Sequence, residues 1–121
     1  DGLKRINDTY GHQVGAQTIR TVGRLLGPLL HPQGLVTRFG GDEFTAYAAG
    51  RDRAQALALG ETIRAAVKNH PFTFDGVQVF PTISVGVAVF PEDGDTCEQL
   101  TRRADAALYR AKAAGRDCVR D

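Results

Sequence analysis

The 121-residue chain has no methionine anywhere and begins at Asp1. It therefore reads as a fragment, a processed chain or part of something longer, not as a complete translation product. It has two cysteines, Cys97 and Cys118. Two thiols make no disulfide framework, and their spacing fits no common zinc pattern. A reduced, cytoplasmic setting is the simplest reading. Charge of neither sign dominates: 15 Lys and Arg against 14 Asp and Glu leave a net charge of +1. That excludes a polybasic nucleic-acid groove or membrane patch. A highly anionic ligand would need positive charge gathered locally. No apolar run approaches the ~18 residues of a membrane span, and no signal peptide is visible. Repeats, low-complexity stretches and interdomain linkers are absent too. What is present, 42% hydrophobic and 24% charged residues, is the composition of a globular protein. The length suits one domain, residues 1–121, with one core.

Residues 1–8 read as a short polar turn or helix. In segment 14–30, Ile19, Val22, Leu25, Leu26 and Leu29 fall at helical spacing and define one buried face. Pro28 and Pro32 bracket its end. Segments 35–39 and 44–49 are strand-like and joined by a hairpin turn, Gly40-Gly41-Asp42-Glu43. Residues 52–69 alternate Ala and Leu with Arg and Glu at helical period. Asp75-Gly76 is a hairpin signal between 72–74 and 77–80. Pro81 interrupts, and segment 82–90, rich in Val and Ile, reads as a buried strand. Thr96-Cys97-Glu98-Gln99 has the form of a capping box. The helix it opens runs through Leu100, Ala104, Ala107, Leu108 and Ala111, with Gly115 at its C′ position. Cys118 and Val119 read as a last short edge strand. The order implies an α+β fold with an antiparallel sheet covered by helices on one or both faces.

The turn at 40–44 is the most informative segment. Gly40 and Gly41 allow the backbone to approach a ligand with no side chain in the way. Asp42 and Glu43 follow at once, two carboxylates presented by a rigid hairpin. Such a pair suits a magnesium ion whose shell is completed by substrate phosphates. The plain reading of the same residues is a hairpin with two solvated acids.

Four segments together carry a resemblance. Gly40-Gly41-Asp42-Glu43-Phe44 is the signature of the GGDEF family of diguanylate cyclase domains. Asp1-Gly2-Leu3-Lys4-Arg5-Ile6-Asn7-Asp8-Thr9-Tyr10-Gly11-His12 is similar to that family's second signature. Thr82-Ile83-Ser84-Val85-Gly86-Val87-Ala88 is similar to its central strand. The stretch from Arg103 through Lys112 to Arg116 is similar to its C-terminal helix. They occur in the family's order and span almost the whole chain. The resemblance implies a palm-like fold with a ferredoxin-like βαββαβ core, shared with adenylate cyclases and some polymerases. It implies condensation of two GTP into cyclic di-GMP with release of two pyrophosphates, on two domains that meet as a homodimer. It also implies Mg2+, with Mn2+ as an alternative.

By the same resemblance Asp42 binds metal and accepts the 3′-hydroxyl proton, and Glu43 serves the metal. Lys4 places a fixed positive charge where the phosphoryl oxygens gain charge. Backbone N–H groups around Gly2, Leu3 and Lys4 cradle phosphates, Asn7 reads the guanine edge, and His12 lies in the same loop. Lys112 and Arg116 reach the terminal phosphates. Each has a bland alternative: a solvated lysine, a turn-capping histidine, cations at a helix C-terminus where the dipole favours them.

Three departures stand out. The family's first metal-binding aspartate falls two residues before Asp1. The resemblance therefore implies a domain truncated at its N-terminus, without its first strand and upstream helices, and inactive on its own. The family's Arg-x-x-Asp product-inhibition pair is here His31 and Gly34. Its guanine-binding aspartate is here Ala16. Hence two alternatives: a degenerate GTP-binding domain that regulates a fused partner, or a cyclase with relaxed base specificity. A polymerase-like palm acting on nucleic acid is disfavoured by the near-neutral charge. An upstream sensory or dimerising module is expected.

Overall fold

A computed structural model describes residues 1–121. Ile19, Val22, Leu26 and Leu30 recur every three or four residues, and all are buried on one side of helix α2, His12–Leu30. Before it lies α1, Leu3–Tyr10, which buries Ile6. The hairpin β1 (Gly34–Gly40) and β2 (Glu43–Ala48) follows, then α3 (Arg53–Asn69), then a second hairpin, β3 (Phe72–Phe74) and β4 (Val77–Val79). The short strand β5 (Val85–Gly86), helix α4 (Cys97–Ala113) and strand β6 (Val119–Arg120) complete the order. No helix is long and apolar enough to cross a membrane.

The chain divides into two compact units. The first comprises Asp1–Ala49 and Ala66–Thr82. Its core is Ile6, Ile19, Val22, Leu26, Leu30, Val67, Phe72 and Val79, with Val67 and Phe72 almost wholly enclosed. Burying a side chain of that size fully stabilises by about 1.5–3 kcal/mol. The one buried polar residue of this core, Thr18, donates its hydroxyl to the Val14 carbonyl at 2.8 Å, so nothing polar is stranded there by it. Pro28 and Pro32 bracket the end of α2 at Leu30, as the sequence indicated. The helix passes through Pro28, and its last turn is closed by the His31 N–H donating to the Gly27 carbonyl at 3.0 Å. The stop is His31, which takes an extended backbone, φ −69° and ψ 145°. It precedes Pro32, and the residue before a proline is driven out of the helical region.

The second unit comprises Gly50–Ala65 and Ile83–Asp121 and buries Ile63, Val89, Ala107 and Ala111. Helix α3 opens with a reciprocal cap. The Gln55 N–H donates to Asp52 Oδ1 at 2.8 Å, and the Asp52 N–H donates to Gln55 Oε1 at 3.0 Å. At α4 the expected box is half formed as written. Thr96 Oγ1 accepts from the Gln99 N–H at 3.1 Å, while Gln99 Oε1 reaches one residue further, to the Asp95 N–H at 2.9 Å. The helix ends as expected at Gly115, whose φ is +110°. The Gly115 N–H donates to the Lys112 carbonyl and the Arg116 N–H to the Ala111 carbonyl, the paired bonds of a Schellman motif.

The buried strand expected over 82–90 is reduced to β5. It pairs in parallel with β6: Val85 N–H donates to the Cys118 carbonyl and Val87 N–H to the Arg120 carbonyl, both at 2.9 Å. Residues 82–88 are half-buried. In place of one continuous antiparallel sheet there are three two-stranded ones, two of them antiparallel. Val and Ile content reports suitability for an extended, half-buried backbone and says nothing about which strand is alongside. Gly86 is there because α4 lies against it: a Cβ would strike the Ala104 carbonyl and the Leu108 backbone.

Candidate functional site

In the first unit β1 and β2 pair in register from Gly34↔Ala48 to Arg38↔Phe44, then shift so that Gly40 faces Glu43. The shift leaves Phe39 bulged outward and 79% exposed. Gly41 and Asp42 form the tip. Gly41 has φ +51°, a conformation that favours glycine. No atom of the protein lies within 4 Å of where a Cβ on Gly40 or Gly41 would sit, so the space over both backbones is open. Asp42 and Glu43 follow, both exposed.

Two contacts hold this turn. Arg38 donates from Nε at 3.1 Å and from Nη2 at 2.7 Å to the Gly41 carbonyl, a two-pronged latch across the hairpin tip. Phe44, the fifth motif residue, lays its ring on α2 where Gly23 leaves room; a Cβ on Gly23 would sit 3.5 Å from Phe44 Cε1. The carboxylates are thus carried on a turn pinned from the arginine on one strand and the aromatic ring on the other.

The second signature lies on α1 and the start of α2. Gly2 caps α1 with φ +76°, and its carbonyl accepts from the Ile6 N–H at 3.1 Å. Gly2 and Lys4 are exposed, Leu3 is half-buried, and His12, the first residue of α2, is exposed. Asp1 is tied to Thr82: its nitrogen donates to the Thr82 carbonyl at 2.9 Å, and Thr82 Oγ1 donates to Asp1 Oδ2 at 3.1 Å. Gly11, φ +94°, turns the chain between the helices, and its N–H closes α1 on the Asn7 carbonyl at 2.8 Å. Asn7 points into the α1–α2 crossing. Its Oδ1 is buried without a hydrogen-bond partner. The backbone of Gly15 is directly against it.

The first unit therefore brings Gly2, Leu3, Lys4, Asn7, His12, Gly40, Gly41, Asp42 and Glu43 into one body. Lys112 and Arg116 belong to the second unit, both exposed at the Schellman end of α4, where Arg116 has φ +65°. Ala16 is exposed one position beyond Gly15. His31 is exposed at the C-cap of α2. Gly34 admits no side chain: a Cβ would run into the Tyr47 carbonyl and lie 3.1 Å from the Leu30 carbonyl. A carboxylate at position 34 is excluded by backbone, not merely missing.

No group of three or more His, Cys, Asp or Glu is assembled for a metal. The donor set that fits a hard divalent cation is the Asp42 and Glu43 pair. Two carboxylates are what such an ion takes from protein when phosphates and water supply the rest. Arg38, which bonds the Gly41 carbonyl, and Gly15, which lies against Asn7, are neighbours of the candidate residues that sequence reading passes over. An isolated glycine inside a helical pattern is the one signal that could have pointed to Gly15. Arg38 carried no signal of its own.

The family model described as "Diguanylate cyclase, GGDEF domain" matches residues 1–118. The cyclic di-GMP phosphodiesterase NbdA of Pseudomonas aeruginosa is 38% identical over 117 residues, 97% of this chain and 15% of NbdA. The response regulator PleD of Caulobacter vibrioides is 40% identical over 121 residues, 98% of this chain and 27% of PleD. The chain thus spans at most about a quarter of the length of these two relatives. The crystal structure of the GGDEF domain of YfiN (TpbB) from Pseudomonas aeruginosa superposes with a TM-score of 0.93 at 35% identity, covering 99% of this chain and 75% of that one. The α+β, palm-like fold is that of this crystal structure.

Proposed function

The chain belongs to the GGDEF family of diguanylate cyclase domains, and on that premise we propose that it is the nucleotide-condensing part of a diguanylate cyclase. The observation that carries the reading is the hairpin tip: two glycines open to a ligand, followed by two exposed carboxylates, on a turn latched by Arg38. A structural turn requires neither the open space nor the second acid.

In each half-reaction the 3′-oxygen of one GTP forms a bond to the α-phosphorus of the other. The bond from that phosphorus to the bridging oxygen breaks, and pyrophosphate leaves. Asp42 accepts the 3′-hydroxyl proton. Lys4 sets a positive charge near the phosphoryl oxygens as their charge grows. The backbone of Gly2, Leu3, Gly40 and Gly41 gives phosphates close approach, Asn7 meets the guanine, and His12 stands in the same loop. Lys112 and Arg116 take the terminal phosphates. A divalent cation, Mg2+ or Mn2+, would be held by Asp42 and Glu43 and would supply charge neutralisation on the phosphates. Since each domain carries one GTP, two copies are required. A homodimer raises the effective concentration of one nucleotide against the other. An upstream regulatory module, a cytoplasmic location and no nucleic-acid partner complete the reading.

A second reading is favoured by Ala16: a domain that binds GTP and regulates a partner without making product. The name of NbdA, a phosphodiesterase, is compatible with it. The deciding experiment incubates the full-length protein with GTP and Mg2+ across a dilution series. Cyclic di-GMP and pyrophosphate in a one-to-two ratio, with specific activity falling on dilution, support the cyclase. Saturable GTP binding without product supports the regulator.

A further inference from the structure

The second unit holds a cavity of about 370 Å³ that the nucleotide reading does not use. That volume suits a small ligand. Three arginines line it, Arg53 at the start of α3 and Arg103 and Arg110 on α4. Positions 103, 106 and 110 share one face of α4, since residues three and four apart lie one turn above another. Ala106 stands between the two arginines, and its small side chain leaves open the space a longer one would fill. Asp93 and Asp121 also line the cavity. Asp93 is fully engaged: its side chain is 10% exposed and accepts from Arg53, Arg103 and the Val89 N–H. Asp121 takes the other end of the Arg53 fork at 3.3 Å. Arg103 and Arg110 are not consumed in this way. The one side-chain bond of Arg103 is its contact with Asp93 at 3.4 Å, long for a charge-assisted hydrogen bond, and its side chain is 64% exposed. Arg110, also exposed, donates only from Nη2, to the Asp121 main-chain oxygen at 2.6 Å. A guanidinium carries five N–H donors, so most of those on both arms meet no protein acceptor.

We propose that this cavity is an anion site that takes a diphosphate, one phosphate group on the fork of Arg103 and the other on the fork of Arg110. Arg53 and the two acids form the fixed wall behind them. Three guanidinium groups against two carboxylates leave an excess of positive charge, and guanidinium forks match phosphate oxygens in pairs. The two arms start seven residues apart, roughly 10 Å along α4 at 1.5 Å per residue. That spacing suits an anion with two charged groups better than one with a single group. Lys112 and Arg116 do not line the cavity, so the site is separate from the cations assigned to the terminal phosphates and does not rest on the nucleotide reading. Free pyrophosphate, which the proposed condensation would release, and the diphosphate of a nucleotide share this chemistry.

The test is calorimetric titration of the full-length protein, without added metal or GTP, using inorganic pyrophosphate, inorganic phosphate and GDP. Three variants probe the cavity. Arg103→Ala and Arg110→Ala each remove an arm, and Ala106→Leu fills the space between the arms while removing no charge and no hydrogen bond. Arg102→Ala is the control, an exposed arginine of α4 that does not line the cavity. Pyrophosphate binds saturably, and inorganic phosphate binds more weakly by on the order of tenfold, having one charged group for two arms. Each of the three cavity variants weakens pyrophosphate by roughly tenfold or more, and Arg102→Ala leaves it unchanged. GDP separates the sources: affinity above that of pyrophosphate, lost in the same variants, supports a nucleotide-borne diphosphate, and affinity at or below it supports the free ion. No saturable pyrophosphate binding overturns the site. Equal weakening by Arg102→Ala overturns it in favour of unspecific attraction to surface charge. Binding untouched by Arg110→Ala and Ala106→Leu overturns the cavity as its place, and equal affinity for phosphate and pyrophosphate overturns the two-armed grip.

Discussion

The two compact units treat charge in opposite ways. In the first, Asp42, Glu43 and Lys4 stand exposed on a turn or a helix edge. In the second, Asp93 is sunk among partners, its side chain 10% exposed. Its carboxylate accepts from Arg53 at 3.0 Å, from Arg103 at 3.4 Å and from the Val89 N–H at 2.8 Å. Arg53 goes on to Asp121 at 3.3 Å, and Arg64 bridges Glu61 and Asp117. Asp42 and Glu43 at the hairpin tip are exposed, whereas Asp93, Glu61, Asp117 and Asp121 of the second unit are paired with arginines.

The comparison is broken most severely at Asp42. Asp42→Ala should reduce cyclic di-GMP formation on the order of 10²-fold or more, as loss of a metal-site carboxylate commonly does. Product chromatography at saturating GTP and Mg2+ measures it. Next is Ala16→Asp, which adds an acceptor for guanine N1–H and N2–H2. A hydrogen bond to a charged group contributes about 1.5–3 kcal/mol, so GTP should bind roughly 10- to 150-fold more tightly and ATP should not. Competition with equal GTP and ATP reads both.

In the second unit Asp93→Ala should cost about 1.5–3 kcal/mol of stability, through the lost charged hydrogen bonds and the stranded Val89 N–H. Urea unfolding with an unchanged slope checks it. The Arg53 hydrogen bond holds the Asp93 carboxyl below its usual value; burial opposes this, while Val89 and Arg103 add to it. A carboxyl depressed on folding stabilises fully above its unfolded value, near 3.9. That stabilisation is lost as pH falls through the lower folded value. The stability gap between the protein and Asp93→Asn should therefore stay flat from neutral pH to about 5 and close below about 4. The smallest effect belongs to Arg38→Ala. It releases the hairpin tip without removing a carboxylate, so turnover should fall roughly three- to tenfold, equivalent to about 0.7–1.4 kcal/mol, with the Asp42-dependent reaction still present.

Much of this was legible in the residues. The helical faces, the Gly115 cap and the hairpin tip with its two acids follow from spacing and turn chemistry. What escaped has a common physical cause. Arg38 bonds a backbone carbonyl, which has no sequence identity. Gly15 is dictated by a side chain on another helix. The residues of 82–90 announce an extended chain, while the pairing that makes a strand belongs to whatever runs beside it.

The central claim is that the acids of the hairpin tip do chemistry and the buried acid of the second unit does not. The direct measurement takes Asp42→Ala and Asp93→Ala side by side in the full-length protein, recording product formation and unfolding free energy for each at a temperature where both are folded. The account predicts a crossed result. Asp42→Ala loses its activity and unfolds like the unaltered protein; Asp93→Ala unfolds more easily and, while folded, keeps making cyclic di-GMP. An Asp42→Ala variant with undiminished product formation, or one whose lost activity is matched by lost stability, would contradict it.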